Sequence, residues 1–149
     1  AEAAADWFEL GLQYRISGRQ NISLARNMAI ETAMGMAEWI VMTDDDCEPP
    51  ANWLEALLDA QQSSGATAVT GRMVRRVPPG SPRWLTEEPF LELGVHDPPD
   101  GTPMDTGATF NSMISAEWLR QHPHIRFDPA FGVIGGEPAF RLTRSAQPL

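Results

Sequence analysis

The order of predicted elements favours an α/β fold, in which helices pack against a sheet. A helical repeat of apolar and small residues from 24 to about 38 leads directly into a short apolar run at 39–42, which stops at three aspartates. A second helical repeat follows two prolines and precedes an alternating segment at 66–73. With 149 residues and 42% hydrophobic content, the chain is long enough for one domain with its own core.

The first predicted helix has Asn21 or Ser23 as its capping residue, because their side-chain oxygens accept unpaired N–H groups of the first turn. Its apolar residues at helical spacing are Leu24, Ala25, Met28, Ala29 and Ala33. The run 39–42 is continuously apolar, which is typical of a buried parallel strand. The aspartates would then lie at the carboxyl end of that strand.

The second predicted helix has Pro49 and Pro50 in its first turn, where a missing N–H has no intrahelical partner. Its apolar face is predicted to hold Trp53, Leu54, Leu57 and Leu58. The next strand is indicated by the alternation of Val69 and Met73 within 66–73.

Prolines and glycines then break regular structure, so segment 76–104 is predicted to be a long loop of the kind that forms lids or binding sites. Apolar residues that could dock this loop are Trp84, Leu85, Phe90 and Leu93. Beyond it we expect a strand with Ala108, Phe110 and Ser112 on one side, a short helix at 116–121, and an irregular connection at 127–136.

Composition excludes several classes of function. The formal net charge of −9 argues against non-specific nucleic-acid binding. All eleven basic residues are arginine, so mechanisms that need a lysine, including the P-loop, the Schiff base and the lysine general base, are excluded. The single cysteine forms no internal disulfide, and no apolar run is long enough to cross a membrane, so a cytoplasmic location is expected.

The aspartates Asp44, Asp45 and Asp46 are the strongest chemical feature of the sequence. Three adjacent carboxylates repel one another unless a cation lies among them, and Mg²⁺ or Mn²⁺ prefers such oxygen ligands. The carboxyl end of a strand is also where α/β sheets bind ligands. Two alternatives stay open at this point: an aspartate that only caps the next helix, and a phosphohydrolase with an aspartate nucleophile. A P-loop NTPase has a similar acidic strand end, but the lack of lysine removes it.

Several short motifs follow one another along the chain: RQNISLARN at 19–27, WIVMTDDD at 39–46 with Pro49 and Trp53-Leu54, Thr106-Gly107, FDPAFG at 127–132 and GGE at 135–137. These motifs and their order resemble inverting glycosyltransferase family 2, in particular its bacterial exopolysaccharide, succinoglycan-type, glucosyltransferases. It extends over about residues 15 to 141. It implies a GT-A fold, with a mixed sheet flanked by helices, in a single domain over 1–149. Within it, 1–75 would bind nucleotide and metal, 76–104 would be the loop, and 105–149 would bind the acceptor.

The resemblance also implies roles for individual residues. Asp44 and Asp46 would bind the divalent metal, and Asp44 and Asp45 would contact the ribose or the ion. Arg26 and Asn27 would contact the nucleotide or diphosphate. Thr106, Gly107 and Trp84 are the predicted acceptor-binding residues, although Trp84 could equally anchor the loop. His96 is a weaker candidate for ligand contact, and His122 and His124 are expected at the surface without a metal.

Glu137 is the candidate general base, because inversion needs a group that takes the acceptor hydroxyl's proton. Family members ordinarily carry aspartate at the next position, where this chain has Pro138. Either Glu137 serves or catalysis is impaired, or a stretch between Glu137 and Pro138 has been lost, which is the explanation we favour. The first strand of the family's nucleotide pocket is also expected to lie outside this sequence.

The predicted function is transfer of a sugar, with glucose the expected one, from a UDP-sugar to a polysaccharide or lipid-linked acceptor, aided by Mg²⁺ or Mn²⁺. The acceptor would draw the protein to the inner face of the membrane. The alternatives are a non-catalytic nucleotide-sugar-binding module and a metal-dependent phosphohydrolase.

Overall fold

A computed structural model describes residues 11–72, 77–87 and 98–132 of the chain, and these residues form helices and one small sheet. The helices are α1 (Ile22–Met34), α2 (Trp53–Ser64), α3 (Arg83–Glu87) and α4 (Ala116–Gln121), and a 3-10 turn covers Pro129–Phe131. The strands are β1 (Trp39–Met42), β2 (Ala68–Thr70) and β3 (Ser112–Ser115). Internal contacts divide the chain into two compact units, a first unit of residues 1–38 and 116–149 and a second unit of residues 39–115.

Helix α1 confirms the first predicted helix and the role of Asn21 as its cap. The Asn21 side-chain oxygen accepts a hydrogen bond from the Leu24 backbone N–H at 3.0 Å. The helix ends at Met34, four residues earlier than expected, where Gly35 follows and the N–H groups of Met36 and Ala37 both turn back to the Ala33 carbonyl. Arg120 of α4 donates to the Met34 carbonyl, so a cation lies at the negative end of the helix.

The buried residues of α1 differ from the apolar residues noted at helical spacing. The buried residues of the helix are Ser23 and Ile30, whereas Ala25 and Ala29 are exposed. Ala25, Ala29 and Ala33 lie on one face of the helix, but alanine is small and fits an exposed or a buried position equally well. The inward face instead carries polar residues that bond to the chain at 127–129, as described below.

The sheet of the second unit has the order β1-β3-β2, and both of its pairings are antiparallel. The prediction of a parallel strand at 39–42 was therefore wrong for the pairing that the described residues show. A short apolar run indicates a buried strand but carries no information about the direction of its neighbour. Met113 of the central strand pairs with Val41 on one side and Val69 on the other and is 1% exposed, which makes it the centre of this sheet.

Helix α2 confirms the second predicted helix, with two differences. It begins at Trp53, so Pro50 lies outside the helix and only its carbonyl bonds to the Trp53 N–H. Of the predicted apolar face only Leu57 is buried, while Leu54 is 53% exposed. The helix ends at Ser64 and is capped by Gly65, whose φ of 66° is in the left-handed region that glycine adopts without strain.

The remaining elements correct the sequence prediction in two places. The predicted loop at 76–104 contains α3, whose start follows Pro82 and bonds to its carbonyl through the Leu85 N–H. Strand β3 starts only at Ser112, because Ala108 and Asn111 close a turn through their carbonyl and N–H groups. Helix α4 has the predicted bounds, and strand β2 is shorter than expected, with Met73 outside the described residues.

None of the described helices has the length and apolar content that crossing a membrane requires.

Candidate functional site

The aspartate cluster forms an exposed turn directly after β1. The Cys47 N–H donates to the Asp44 carbonyl at 3.2 Å, which closes a four-residue turn with Asp45 and Asp46 at its tip. Asp45 and Asp46 are exposed, and Asp44 is half-buried. The Cys47 thiol lies 3.8 Å from an Asp46 carboxylate oxygen. The turn thus presents carboxylates to solvent at the end of the strand, as the sequence predicted.

The structure overturns the alternative in which an aspartate caps the next helix. The N-cap position of α2 is Asn52, whose side chain makes no capping hydrogen bond, and the aspartates lie several residues earlier in the chain. The turn therefore has no capping function.

The donor set of this turn suits a divalent cation that shares its coordination with a ligand. Within the described ranges no three histidine, cysteine or acidic side chains are grouped so that they alone could hold a metal ion. Mg²⁺ is commonly bound by only one or two carboxylates together with substrate phosphates, so Asp44 and Asp46 fit such a shared site. They do not fit a site built entirely from protein.

The turn lies at the end of the sheet where β1 and β2 finish and β3 begins, which we call the sheet edge. Other polar groups lie there too. Met42 at the end of β1 and Thr70 at the end of β2 both pair with Ser112 at the start of β3. The two strand ends are therefore about 10 Å apart, two strand spacings across the sheet. The residues that follow these strands, Asp44 and Gly71, extend from the same edge.

Asn111 organises this edge. Its side-chain oxygen accepts a hydrogen bond from the Trp53 indole N–H at 2.8 Å, and its side-chain nitrogen donates to the Arg72 carbonyl at 2.8 Å. Its backbone carbonyl accepts from the Gly71 N–H at 2.9 Å and from the Thr70 hydroxyl at 3.0 Å. We call this set of contacts the Asn111 cluster; it joins the start of α2, the end of β2 and the start of β3.

Gly71 belongs to the Asn111 cluster because of its missing side chain. A Cβ atom at this position would lie 2.5 Å from the Asn111 side-chain oxygen, too close for any real contact. The glycine thus leaves room for the asparagine amide.

The predicted acceptor residues Thr106 and Gly107 lie next to the Asn111 cluster. A Cβ atom on Gly107 would be 3.3 Å from the Thr70 Cβ, and the Thr70 hydroxyl accepts from the Ala108 N–H at 3.3 Å. Thr106 itself is exposed. The second unit therefore brings the segment of Thr106 and Gly107 to the end of β2, at the same sheet edge as the aspartates.

Trp84 lies on α3, where 60% of its surface is exposed. This exposure does not favour the alternative that Trp84 anchors the loop, and it leaves the indole available to a ligand. Phe90, Leu93 and His96 lie outside the described residues.

In the first unit, α1 holds the segment 127–132. The Asn21 side-chain nitrogen donates to the Pro129 carbonyl at 2.9 Å, in addition to the capping bond that its oxygen accepts from Leu24. Asn21 is only 8% exposed, and a Cβ atom on Gly132 would collide with its amide. We call these contacts of Asn21, Leu24, Pro129 and Gly132 the Asn21 cluster.

Arg26 and Asn27 both contact Phe127. The Arg26 guanidinium carbon lies 5.6 Å from the centre of the Phe127 ring, a cation–π arrangement. The Asn27 amide donates to the Phe127 carbonyl at 2.8 Å and accepts from its N–H at 2.9 Å. The two residues that the sequence assigned to the nucleotide thus lie side by side at the segment that leads toward Glu137, which is itself outside the described residues.

The histidines of the first unit form a small aromatic group. The His122 ring stacks on Trp118 with centroids 4.3 Å apart, and the His124 ring meets His122 edge-on at 6.1 Å. His124 is exposed, as predicted, whereas His122 is half-buried.

Sequence reasoning missed Asn111 and the partners of Asn21 and Asn27. Asn111 lay inside a predicted strand, where nothing in the local pattern marks a side chain with two distant partners. The sequence hints at the clusters only through Gly71 and Gly132, which make room for the amides of Asn111 and Asn21. A glycine can occur for many other reasons, so this hint is weak.

Comparison with known proteins decides the family. Residues 1–123 match the family described as Glycosyl transferase family 2. The chain belongs to glycosyl transferase family 2. This confirms the predicted family, and membership implies the predicted GT-A fold, of which the described residues show the helices and a three-stranded sheet.

One curated relative of this family 2 chain is the Succinoglycan biosynthesis protein ExoM of Rhizobium meliloti (strain 1021), which is 34% identical over 121 residues. The alignment covers 78% of this chain and 36% of the relative, so the chain spans little more than a third of that protein's length. No solved structure matches the chain.

Proposed function

We propose that this family 2 chain takes part in metal-dependent, inverting transfer of a sugar from a UDP-sugar to a polysaccharide or lipid-linked acceptor. The observation that carries the proposal is the exposed aspartate turn directly after β1, in a chain of this family. The similarity to a succinoglycan biosynthesis protein supports a role in exopolysaccharide biosynthesis. UDP-glucose is the first donor to test, because the sequence motifs resemble those of glucosyltransferases.

The aspartate turn is assigned to the donor. Asp44 and Asp46 would hold a Mg²⁺ or Mn²⁺ ion together with the diphosphate, and Asp45 would contact the ribose. The ion supplies charge stabilisation to the departing UDP, whose negative charge grows as the bond to the sugar breaks. Exposure of Asp45 and Asp46 favours this role, because exposed carboxylates are accessible to an ion or to a sugar nucleotide.

Arg26 is assigned to the donor diphosphate. Since the chain has no lysine, arginine is the only side chain that carries a permanent positive charge to a phosphate group. Arg26 is half-buried, and its contact with the Phe127 ring limits the positions that the guanidinium can occupy.

The acceptor side is assigned to Thr106, Gly107, Trp84 and Glu137. Trp84 offers an exposed aromatic face on which a sugar ring can stack. Glu137 would take the proton of the acceptor hydroxyl while that oxygen attacks the anomeric carbon from the side opposite UDP, which inverts the configuration. The bond that forms is acceptor oxygen to anomeric carbon, and the bond that breaks joins that carbon to the diphosphate.

The proposal is tested with Asp46→Ala, by measuring UDP release from UDP-glucose with Mn²⁺ and a saccharide acceptor. Loss of one group that stabilises developing charge lowers rates by about 10²-fold or more, so a drop of that size is expected. Asp59→Ala is the matched control, because Asp59 is an exposed aspartate on α2 away from the turn. It should leave the rate unchanged.

Other outcomes would replace the proposal. A protein that binds UDP with Mn²⁺ but releases no UDP from UDP-glucose would be a non-catalytic binding module. Phosphate release from a simple phosphoester without any sugar acceptor would indicate a phosphohydrolase.

A further inference from the structure

Asn27 makes an unusual pair of contacts for a residue in a helix. Its side-chain amide bonds to both backbone groups of a single residue, Phe127, which is 100 positions away in the sequence. One bond would leave the segment free to pivot about it, whereas two bonds to the N–H and the carbonyl fix its orientation as well. The Asn27 amide thus bonds to the Phe127 N–H and carbonyl in the same way as a paired residue on a neighbouring β-strand would.

The same segment is held at a second point by the Asn21 cluster. Asn21 bonds to the Pro129 carbonyl at 2.9 Å, and Gly132 packs against the amide of Asn21. Within the segment, the Asp128 carboxylate accepts from the Ala130 N–H at 2.8 Å, which stabilises the 3-10 turn Pro129–Phe131. The segment 127–132 is therefore fixed to α1 at both ends, and Glu137 follows Gly132 by five residues.

We propose that Asn27 is a positioning residue for the acceptor side of the reaction, in place of the nucleotide contact that the sequence suggested. Through Phe127 it holds the segment that leads to Glu137. Arg26, the neighbouring residue, contacts the ring of that same Phe127, so the residue assigned to the diphosphate and the segment assigned to the base meet at one side chain. This inference rests on the proposed function for its catalytic consequence only.

The two possible roles of Asn27, nucleotide binding and positioning of Phe127, make opposite predictions. A nucleotide-binding Asn27 would contribute to UDP affinity, and its loss would leave Phe127 in place. A positioning Asn27 would leave UDP affinity unchanged, while its loss would free the Phe127 backbone and slow the chemical step.

The experiment compares Asn27→Ala with Asn52→Ala in the same protein. Asn52 is an exposed asparagine at the start of α2 without a side-chain capping bond, so it controls for removal of an amide. Three quantities are measured: hydrogen exchange at the Phe127 amide, the Kd for UDP with Mn²⁺, and kcat for sugar transfer. We expect Asn27→Ala to raise the exchange rate at Phe127 about tenfold, since two net hydrogen bonds are lost. The Kd should stay within about twofold, and kcat should fall about tenfold.

A second variant, Asn27→Asp, tests the two hydrogen bonds to Phe127 separately. It also takes the place of Asn27→Ala if that variant does not fold. Asn27→Asp keeps an oxygen to accept from the Phe127 N–H but loses the donor to the Phe127 carbonyl, so its exchange rate and kcat should lie between those of the wild type and Asn27→Ala.

Unchanged exchange at Phe127, or a Kd for UDP raised tenfold by either variant, would overturn the inference. Should the wild-type protein transfer no sugar, the proposed function fails, while exchange at Phe127 and the Kd for UDP still decide whether Asn27 holds the segment or binds nucleotide.

Discussion

The Asn21 cluster of the first unit and the Asn111 cluster of the second use the same device. In each, the side-chain oxygen of an asparagine accepts an N–H at the start of a helix, from Leu24 in one and the Trp53 indole in the other. In each, the side-chain nitrogen donates to a backbone carbonyl far along the chain. In each, a glycine makes room for the amide.

The difference between the clusters lies in their setting. Asn21 is 8% exposed and occupies a helix cap, whereas Asn111 is half-buried at a sheet edge and bonds through its backbone as well. Both stand close in sequence to residues assigned to the reaction. Most of the described side chains proposed to contact ligand are exposed, and Arg26 and Asp44 are half-buried. Neighbouring asparagines fix the backbone near them.

The largest effect is expected from Asn111→Ala. The substitution leaves the partly buried Trp53 indole N–H and the Arg72 carbonyl without this partner, and should lower the free energy of unfolding by about 3 kcal/mol. Urea unfolding measures this loss. A change below about 0.5 kcal/mol, the level typical of surface sites, would mean that the cluster adds nothing to stability.

Asn21→Ala is expected to cost about 2 kcal/mol in the same assay, because it removes one capping bond and the bond to the Pro129 carbonyl. Asn21→Asp sharpens the comparison, since a carboxylate still caps α1 but cannot donate to Pro129. It should recover about half of the loss. Equal losses in both variants would show that the cap contributes little and that the link to Pro129 dominates.

The smallest effect on stability is expected at Gly132 of the Asn21 cluster. Gly132→Ala introduces a methyl group onto the Asn21 amide, and combining it with Asn21→Ala removes the collision. The double mutant should therefore be about 1 kcal/mol more stable than the sum of the two single changes predicts. Strict additivity in urea unfolding would rule out the close packing of Gly132 on Asn21.

Prediction from sequence succeeded where a residue's local role has a local signal. Asn21 was one of two candidate caps, with Ser23, because asparagine or serine before an apolar helical run favours that role, and the structure decided for Asn21. The aspartate turn was found because three carboxylates after an apolar run are unusual in themselves. Helical spacing alone did not identify the inward face of α1, where polar Ser23 is buried and Ala25 is exposed.

The predictions of a parallel β1 and of an earlier start of β3 failed for a related reason. The pairing of β1 depends on which segments of the chain meet. The turn before β3 is closed between Ala108 and Asn111, and the Thr70 hydroxyl links it to β2 by donating to the Asn111 carbonyl 41 positions away. Single-segment periodicity contains nothing about such partners.

By itself the amino-acid sequence determined most of the succession of helices and strands and the position of three carboxylates directly after β1, because these depend on neighbouring residues. The family was indicated by the resemblance of its ordered motifs and decided by comparison with known proteins. Only the tertiary structure decided what Asn21, Asn27 and Asn111 bind. An asparagine amide can serve a cap, a turn, a ligand or a distant backbone group equally well, and folding selects among these by bringing Phe127, Pro129 and Arg72 within hydrogen-bond distance.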